Sequence, residues 1–164
     1  MNWKKFFNLF LLLLLLAGCS KPLDPLRIGD PAPPFTLTLL SGESRSLEGY
    51  RGKGLVVTFM ASWCPCSNDS IPLFKEAHAR QAGKVAFLMV GIQESESKFK
   101  AFVEKKEIPY DAGFDTPKIA RNYGVNAPPT TVFIDKGGMV KQFFYGNIKE
   151  KPQEFARWVE EVAE

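Results

Sequence analysis

Cysteine and histidine are scarce in this chain, with three Cys and one His among 164 residues. So few ligating side chains leave little material for a structural zinc site. Three cysteines also exclude a disulfide-dense small scaffold. An excess of one charge is lacking too: 21 Lys+Arg stand against 18 Asp+Glu, a formal net charge of +3. That balance, without a Lys/Arg cluster, argues against a nucleic-acid partner. There is no internal repeat and no low-complexity segment beyond one leucine run. What is present suits a folded domain: 45% hydrophobic and 13% aromatic residues support a real core, and the length fits one domain.

The leucine run belongs to an address segment. Lys4 and Lys5 precede nine unbroken apolar residues, Leu9–Ala17. Such a run is short for a lone membrane-spanning helix and fits the h-region of a secretion signal. Leu16-Ala17-Gly18-Cys19 resembles the bacterial lipobox, in which cleavage precedes a cysteine that carries diacylglycerol; an uncleaved N-terminal anchor is the alternative. The chain is thus predicted to divide into a signal peptide (1–18), a lipidated N-terminus with tether (19–30, Cys19 first) and a domain (31–164). Pro22 and Pro25 in the tether, with Pro31, Pro33 and Pro34 just beyond it, favour an extended spacer. Lipid anchoring places the domain in the bacterial cell envelope, facing the periplasm or the extracytoplasmic side. By family analogy, Ser20 after the lipid cysteine points to the outer membrane in a Gram-negative host. Cleavage removes Lys4 and Lys5 and leaves 146 residues with 19 basic against 18 acidic side chains, so the apparent basicity is partly the leader's.

Strands and helices alternate through the rest. Apolar runs and turn residues predict strands at 35–40, 44–47, 55–60, 85–92, 130–134 and 139–145. Helical spacing predicts helices at about 68–81, 95–106, 117–123 and 152–162, with Ile71, Phe74, Ala77 and His78 sharing one face. Leu55–Met60 is apolar enough to be buried on both faces, as in a parallel sheet. Asp135-Lys136-Gly137-Gly138 reads as a hairpin turn. The order indicates a three-layer α/β domain with a mixed sheet. The charged stretches Glu94–Lys100 and Glu104–Glu107 read as solvated helix faces.

Two of the three cysteines fall where that strand passes into a helix, in Ala61-Ser62-Trp63-Cys64-Pro65-Cys66. Unpaired N–H groups and the helix dipole favour an anion there, which sets up Cys64 as a nucleophilic thiolate. Trp63 is expected to shield one side and Pro65 to stiffen the turn. About sixty residues on, Ala127-Pro128-Pro129-Thr130-Thr131 leads into another strand.

These features resemble the thioredoxin-fold superfamily, most closely the membrane-tethered TlpA/ResA-like thiol-disulfide oxidoreductases. The matching stretches are Gly29–Phe35, Gly52-Lys53, Ala61–Cys64, Pro72, Tyr123-Gly124-Val125, Pro129-Thr130-Thr131, Ile134-Asp135 and Gly137-Gly138. The resemblance implies a three-layer thioredoxin-like α/β fold with a mixed central sheet flanked by helices. It implies that Pro129 is a cis-proline facing the redox cysteine, with Trp63, Pro65, Pro128, Pro129 and Thr130 forming the edge that holds a substrate polypeptide. It further implies protein thiols or disulfides as substrates, apocytochrome c among them, and a membrane or extracytoplasmic redox partner; no cofactor or metal is expected.

The departure from the family lies in its Cys-x-x-Cys motif, which reads Cys64-Pro65-Cys66-Ser67 here. Unshifted alignment puts Ser67 in the resolving position and Ser70 where ResA-like chains carry a helix glutamate. Shifting by one residue makes Cys66 the resolving cysteine and puts Asp69 in the acid's place. The unshifted alignment keeps the helix in phase. Residues i and i+2 of a helix lie roughly 200° apart. A Cys64–Cys66 disulfide therefore needs a non-helical turn and would be easily reduced, favouring oxidation or isomerisation. Alternatively Cys64 works alone, with Ser67 donating a hydrogen bond to its thiolate.

Three other readings are open. A peroxiredoxin-like thiol peroxidase would need a Pro-x-x-x-Thr/Ser-x-x-Cys pattern. Val57 and Ala61 occupy those positions relative to Cys64, and Phe59 and Trp63 relative to Cys66, so neither fits. A copper-handling protein of the Sco type would add a histidine to the two thiols; His78 lies roughly 18 Å from Cys66 along a continuous helix, which leaves Cys64 and Cys66 alone to bind copper. A redox-inactive scaffold would hold partners by mixed disulfide or by the Pro129 groove.

Overall fold

The structure, a computed structural model, describes residues 26–164. Cys19 and the address segment lie outside the described residues. Chain order runs β1 (Thr36–Thr38), β2 (Ser44–Ser46), a 3-10 turn (Leu47–Tyr50), β3 (Gly54–Met60), α1 (Pro65–Arg80), β4 (Val85–Gly91), α2 (Glu96–Lys105) and β5 (Asp111–Phe114). It continues α3 (Lys118–Asn122), β6 (Thr130–Ile134), β7 (Val140–Tyr145), a second 3-10 turn (Ile148–Glu150) and α4 (Pro152–Ala163).

The five-stranded sheet has the order β5-β4-β3-β6-β7. β3 pairs parallel with β4, and β4 with β5, whereas β6 runs antiparallel to both β3 and β7. β3 is central and buried along its whole length, as its apolar run predicts. Its side chains alternate between two cores. Leu55, Val57 and Phe59 face the layer holding the β1–β2 hairpin, Tyr50, α3 and Tyr123. Val56 and Met60 face α1, α2 and α4 through Ile71, Phe74, Phe99, Phe155 and Trp158. The result is the mixed three-layer α/β sandwich expected from the sequence, a thioredoxin-like fold.

Two elements depart from the sequence reading. The first is β5, because Asp-Ala-Gly-Phe has no strand periodicity of its own. Tertiary pairing makes it a strand: it adds in parallel to β4, and Leu39 bridges to Gly113. Gly113 is required there, since a Cβ would sit 2.5 Å from the Leu37 side chain. The second is α1, which begins at Pro65 rather than near Asn68, with Cys64 as its N-cap residue. Proline suits a first helical position because the N–H it lacks has no intrahelical partner.

The N-terminal approach is fastened to the β6–β7 hairpin. Gly29 N donates to Val140 O (2.8 Å), Val140 N to Asp30 O (2.9 Å) and Ala32 N to Gly138 O (2.9 Å). No helix among the described residues is long and apolar enough to cross a membrane.

Candidate active site

Cys64 follows the C-terminal end of a central parallel strand and caps α1. This is where open α/β sheets place reactive groups. Its backbone is extended (φ −86°, ψ 119°), so it lies outside the helical repeat. The 200° separation of two helical residues therefore does not govern Cys64 and Cys66. Both are free thiols; Cys64 is buried at 8% exposure and Cys66 is half-buried. Burial pushes the Cys66 thiol up, and the neighbouring Cys64 sulfur adds to this by charge and hydrogen bonding. Glu150 and Asp69 contribute further in the same direction. Cys66 is thus held as a thiol at neutral pH, while Cys64 has the helix N-terminus.

The turn before Cys64 is closed on several sides. Cys64 N donates to Ala61 O (3.1 Å), and Asn68 Nδ2 donates to both Ser62 O and Cys64 O (3.1 Å each). Ser62 gives both its N–H (2.6 Å) and its hydroxyl to the Glu94 carboxylate. Trp63 is 58% exposed beside the cysteine, and its indole N–H donates to Gln93 O (3.2 Å).

The opposing wall comes from the loop before β6. The Pro128–Pro129 bond is cis, as the family resemblance implies for Pro129. The Cys64 thiol lies against Pro128 O at 3.7 Å. Pro129 O is taken by Gly146 N (2.9 Å). Thr130 is buried inside β6 between β3 and β7, and its hydroxyl donates to Ala127 O (2.8 Å), shaping the loop from within. Opposite Thr130 in register stands Tyr145, 62% exposed and stacked on Phe143.

Trp63, Cys64, Pro65, Cys66, Pro128 and Pro129 are thus brought to one end of the sheet. Ser67 is fully buried, and its Oγ accepts a hydrogen bond from Ala61 N (3.4 Å). Ser70 is also buried, its Oγ lying 2.8 Å from Cys66 O and 3.1 Å from Asn147 Oδ1. With Ile71 and Phe74, these serines extend the buried face of α1 toward its start. His78 packs half-buried near the other end of α1, its ring 5.3 Å from Tyr110 and 5.7 Å from Phe87. Among the described residues, no three or more His, Cys, Asp or Glu side chains cluster as metal ligands.

Sequence reading misses Asn68, Gln93, Glu94 and Asn126. Asn68 stands four residues after Cys64, a helical spacing from which its amide reaches back to the N-cap carbonyl. Charge pattern alone puts Glu94 on a solvated helix face, yet it precedes α2 and is engaged by Ser62. A cleft of about 730 Å³ opens beside it, lined among others by Gln93, Glu94, Asp115, Arg121 and Asn126.

A cysteine at a helix start beside a cis-proline loop, on this sheet, is a thioredoxin-like arrangement. Residues 28–143 match the AhpC/TSA family model. The chain belongs to that family and to its thiol-disulfide oxidoreductase branch. It is 31% identical over 152 residues to thiol-disulfide oxidoreductase ResA of Geobacillus thermodenitrificans, covering 86% of this chain and 87% of the relative. It is 30% identical over 129 residues to the thioredoxin-like protein YneN of Bacillus subtilis, covering 77% and 76%. A Chlorobium tepidum structure assigned as the thiol:disulfide interchange protein DsbE shares the fold with a TM-score of 0.80 at 24% identity, covering 85% of this chain and 99% of that one. A secreted disulfide oxidoreductase of Mycobacterium tuberculosis superposes with a TM-score of 0.68 at 25% identity, covering 78% and 96%.

Proposed function

We propose that the chain is an exported, lipid-anchored oxidoreductase whose Cys64 sulfur is the attacking nucleophile and Cys66 the resolving thiol. The observation that carries this reading is the split between the cysteines. Cys64 caps the helix against Pro128 O, while Cys66, two residues further on, is held protonated beside it. Cys64 attacks one sulfur of a substrate disulfide, forming a mixed disulfide and releasing the other sulfur as a thiolate that takes up a proton. Cys66, once deprotonated, attacks the Cys64 sulfur, freeing the reduced substrate and leaving Cys64–Cys66 oxidised. Two electrons pass from the pair to the substrate, and the reverse sequence oxidises a dithiol.

Cys66 is preferred to Ser67 as the partner of Cys64. The Ser67 hydroxyl faces inward to Ala61 N and braces the turn, whereas Cys66 is half-exposed with its sulfur beside that of Cys64. Exposed Trp63 and Tyr145 offer apolar contact area to a polypeptide beside the cis-proline loop. Apocytochrome c thiols are the substrate class the family resemblance suggests, and anchoring through Cys19 would keep the domain at the envelope. Cys64→Ser is expected to abolish insulin disulfide reduction; undiminished reduction by this variant would refute the assignment.

A further inference from the structure

Two neighbouring residues link the segment that leads into Cys-Pro-Cys to the one that leads into the cis-proline loop. Gln93 and Glu94 form the exit of β4, immediately after Gly91 and Ile92. Gly91 is tightly enclosed, since a Cβ there would meet the Phe99 ring of α2 at 2.4 Å. The strand end is therefore pinned against α2, which gives Gln93 and Glu94 a defined starting point. Gln93 adopts φ +57°, an uncommon conformation for a residue with a side chain. In that conformation it makes two contacts in different directions. Its carbonyl accepts from the Trp63 indole (3.2 Å), and its side-chain amide donates to Asn126 O (2.8 Å). Glu94 then accepts both donors of Ser62 with its two carboxylate oxygens.

The two chain segments fixed in this way are the ones that meet at Cys64 Sγ. Ser62 and Trp63 lead directly into Cys64. Asn126 lies two residues before Pro128, whose carbonyl faces the thiol at 3.7 Å. Hydrogen bonds to a charged carboxylate are stronger than neutral ones, so the Ser62–Glu94 pair is the firmer half of the link. The Gln93–Asn126 bond is neutral and exposed, and so the weaker half.

We propose that Gln93 and Glu94 are positioning residues of the thiol site, a brace that holds the Ser62–Trp63 turn and the Asn126–Pro129 loop at the separation Cys64 needs. This rests on the assignment of Cys64 as the nucleophile. The brace acts through Ser62, Trp63 and Asn126 and touches no reacting atom. Glu94→Gln retains the geometry, because its amide oxygen accepts from Ser62 N while its NH2 donates to the Ser62 hydroxyl. Glu94→Ala loses both bonds. Gln93→Gly keeps the left-handed backbone and the carbonyl for Trp63 but loses the tie to Asn126.

The test measures the rate of iodoacetamide labelling at Cys64, located by mass spectrometry, together with Trp63 fluorescence and the KM and kcat of insulin reduction. Glu94→Ala is expected to shift the Trp63 emission and to slow Cys64 labelling about tenfold, a fraction of what the two charged hydrogen bonds it loses contribute. The kcat should fall with it, and Glu94→Gln should restore all three. Gln93→Gly is expected to raise KM with a smaller change in labelling, and it keeps the test open if Glu94→Ala does not fold. Unchanged labelling and emission in both Glu94→Ala and Gln93→Gly would overturn the proposal, as would a Glu94→Gln variant as impaired as Glu94→Ala. Labelling needs no turnover. Normal Cys64 labelling without insulin reduction by the parent protein would contradict the oxidoreductase mechanism and leave the brace still measurable.

Discussion

At the scale of single residues, two cysteines one residue apart sit in different settings because their backbones differ. Cys64 is extended and caps the helix; Cys66 is the second helical residue. Burial and the adjacent Cys64 sulfur both favour the protonated form of Cys66. Its labelling by a thiol reagent should therefore be slow at neutral pH and rise only above the ordinary thiol range of about 8.5. In Cys64→Ser the contribution of the neighbouring sulfur disappears while burial persists. The midpoint should then move down toward the ordinary value without reaching it, as a pH series of labelling rates at Cys66 would show. A midpoint unchanged by the substitution would mean that the two sulfurs do not act on each other. The presence of two close cysteines, their place at a strand-to-helix junction and the cis-proline at Pro129 are legible in the sequence. How Cys66 relates to Cys64 is not, because that depends on where the helix begins. The expected start near residue 68 leaves both cysteines outside the helix, whereas the observed start at Pro65 makes Cys64 its extended cap and Cys66 its second residue.

At the scale of elements, the site depends on how firmly the C-terminal ends of β3 and β4 are held. Long apolar strands and amphipathic helices declare themselves by periodicity, and β3, β4, α2 and α4 fall within a residue or so of expectation. β5 does not, since its four residues gain strand character only from pairing with β4. The contacts of the β4 exit are hidden for the same reason: nothing in Gln93-Glu94 shows that it meets Ser62, about thirty residues earlier in the chain. The close contact between Gly91 and Phe99 makes this region sensitive to added volume. Gly91→Ala should lower stability by about 1–3 kcal/mol, the usual cost of overpacking. Thermal denaturation checks this, and a melting temperature equal to that of the parent would show that α2 can move aside.

At the scale of the whole molecule, the described residues form one domain with its thiols at one end of the sheet. The chain entering it is fastened at Gly29 and Asp30 by hydrogen bonds with Val140. An anchor attached upstream would pull on this hairpin-bound segment without passing through the cysteine site. If Cys19 carries lipid, Cys19→Ala should move the protein from the membrane fraction to the soluble fraction and leave its thiol chemistry unchanged. Retention of Cys19→Ala in the membrane fraction would favour the uncleaved anchor instead.

The central claim, attack by Cys64 and resolution by Cys66, is tested most directly by trapping the intermediate. Cys66→Ser, incubated with a disulfide-bonded substrate, should accumulate a mixed disulfide that peptide mapping places on Cys64, and Cys64→Ser should accumulate none there. A substrate disulfide mapped to Cys66 in the parent protein, or rapid turnover by Cys66→Ser without any trapped species, would contradict the account.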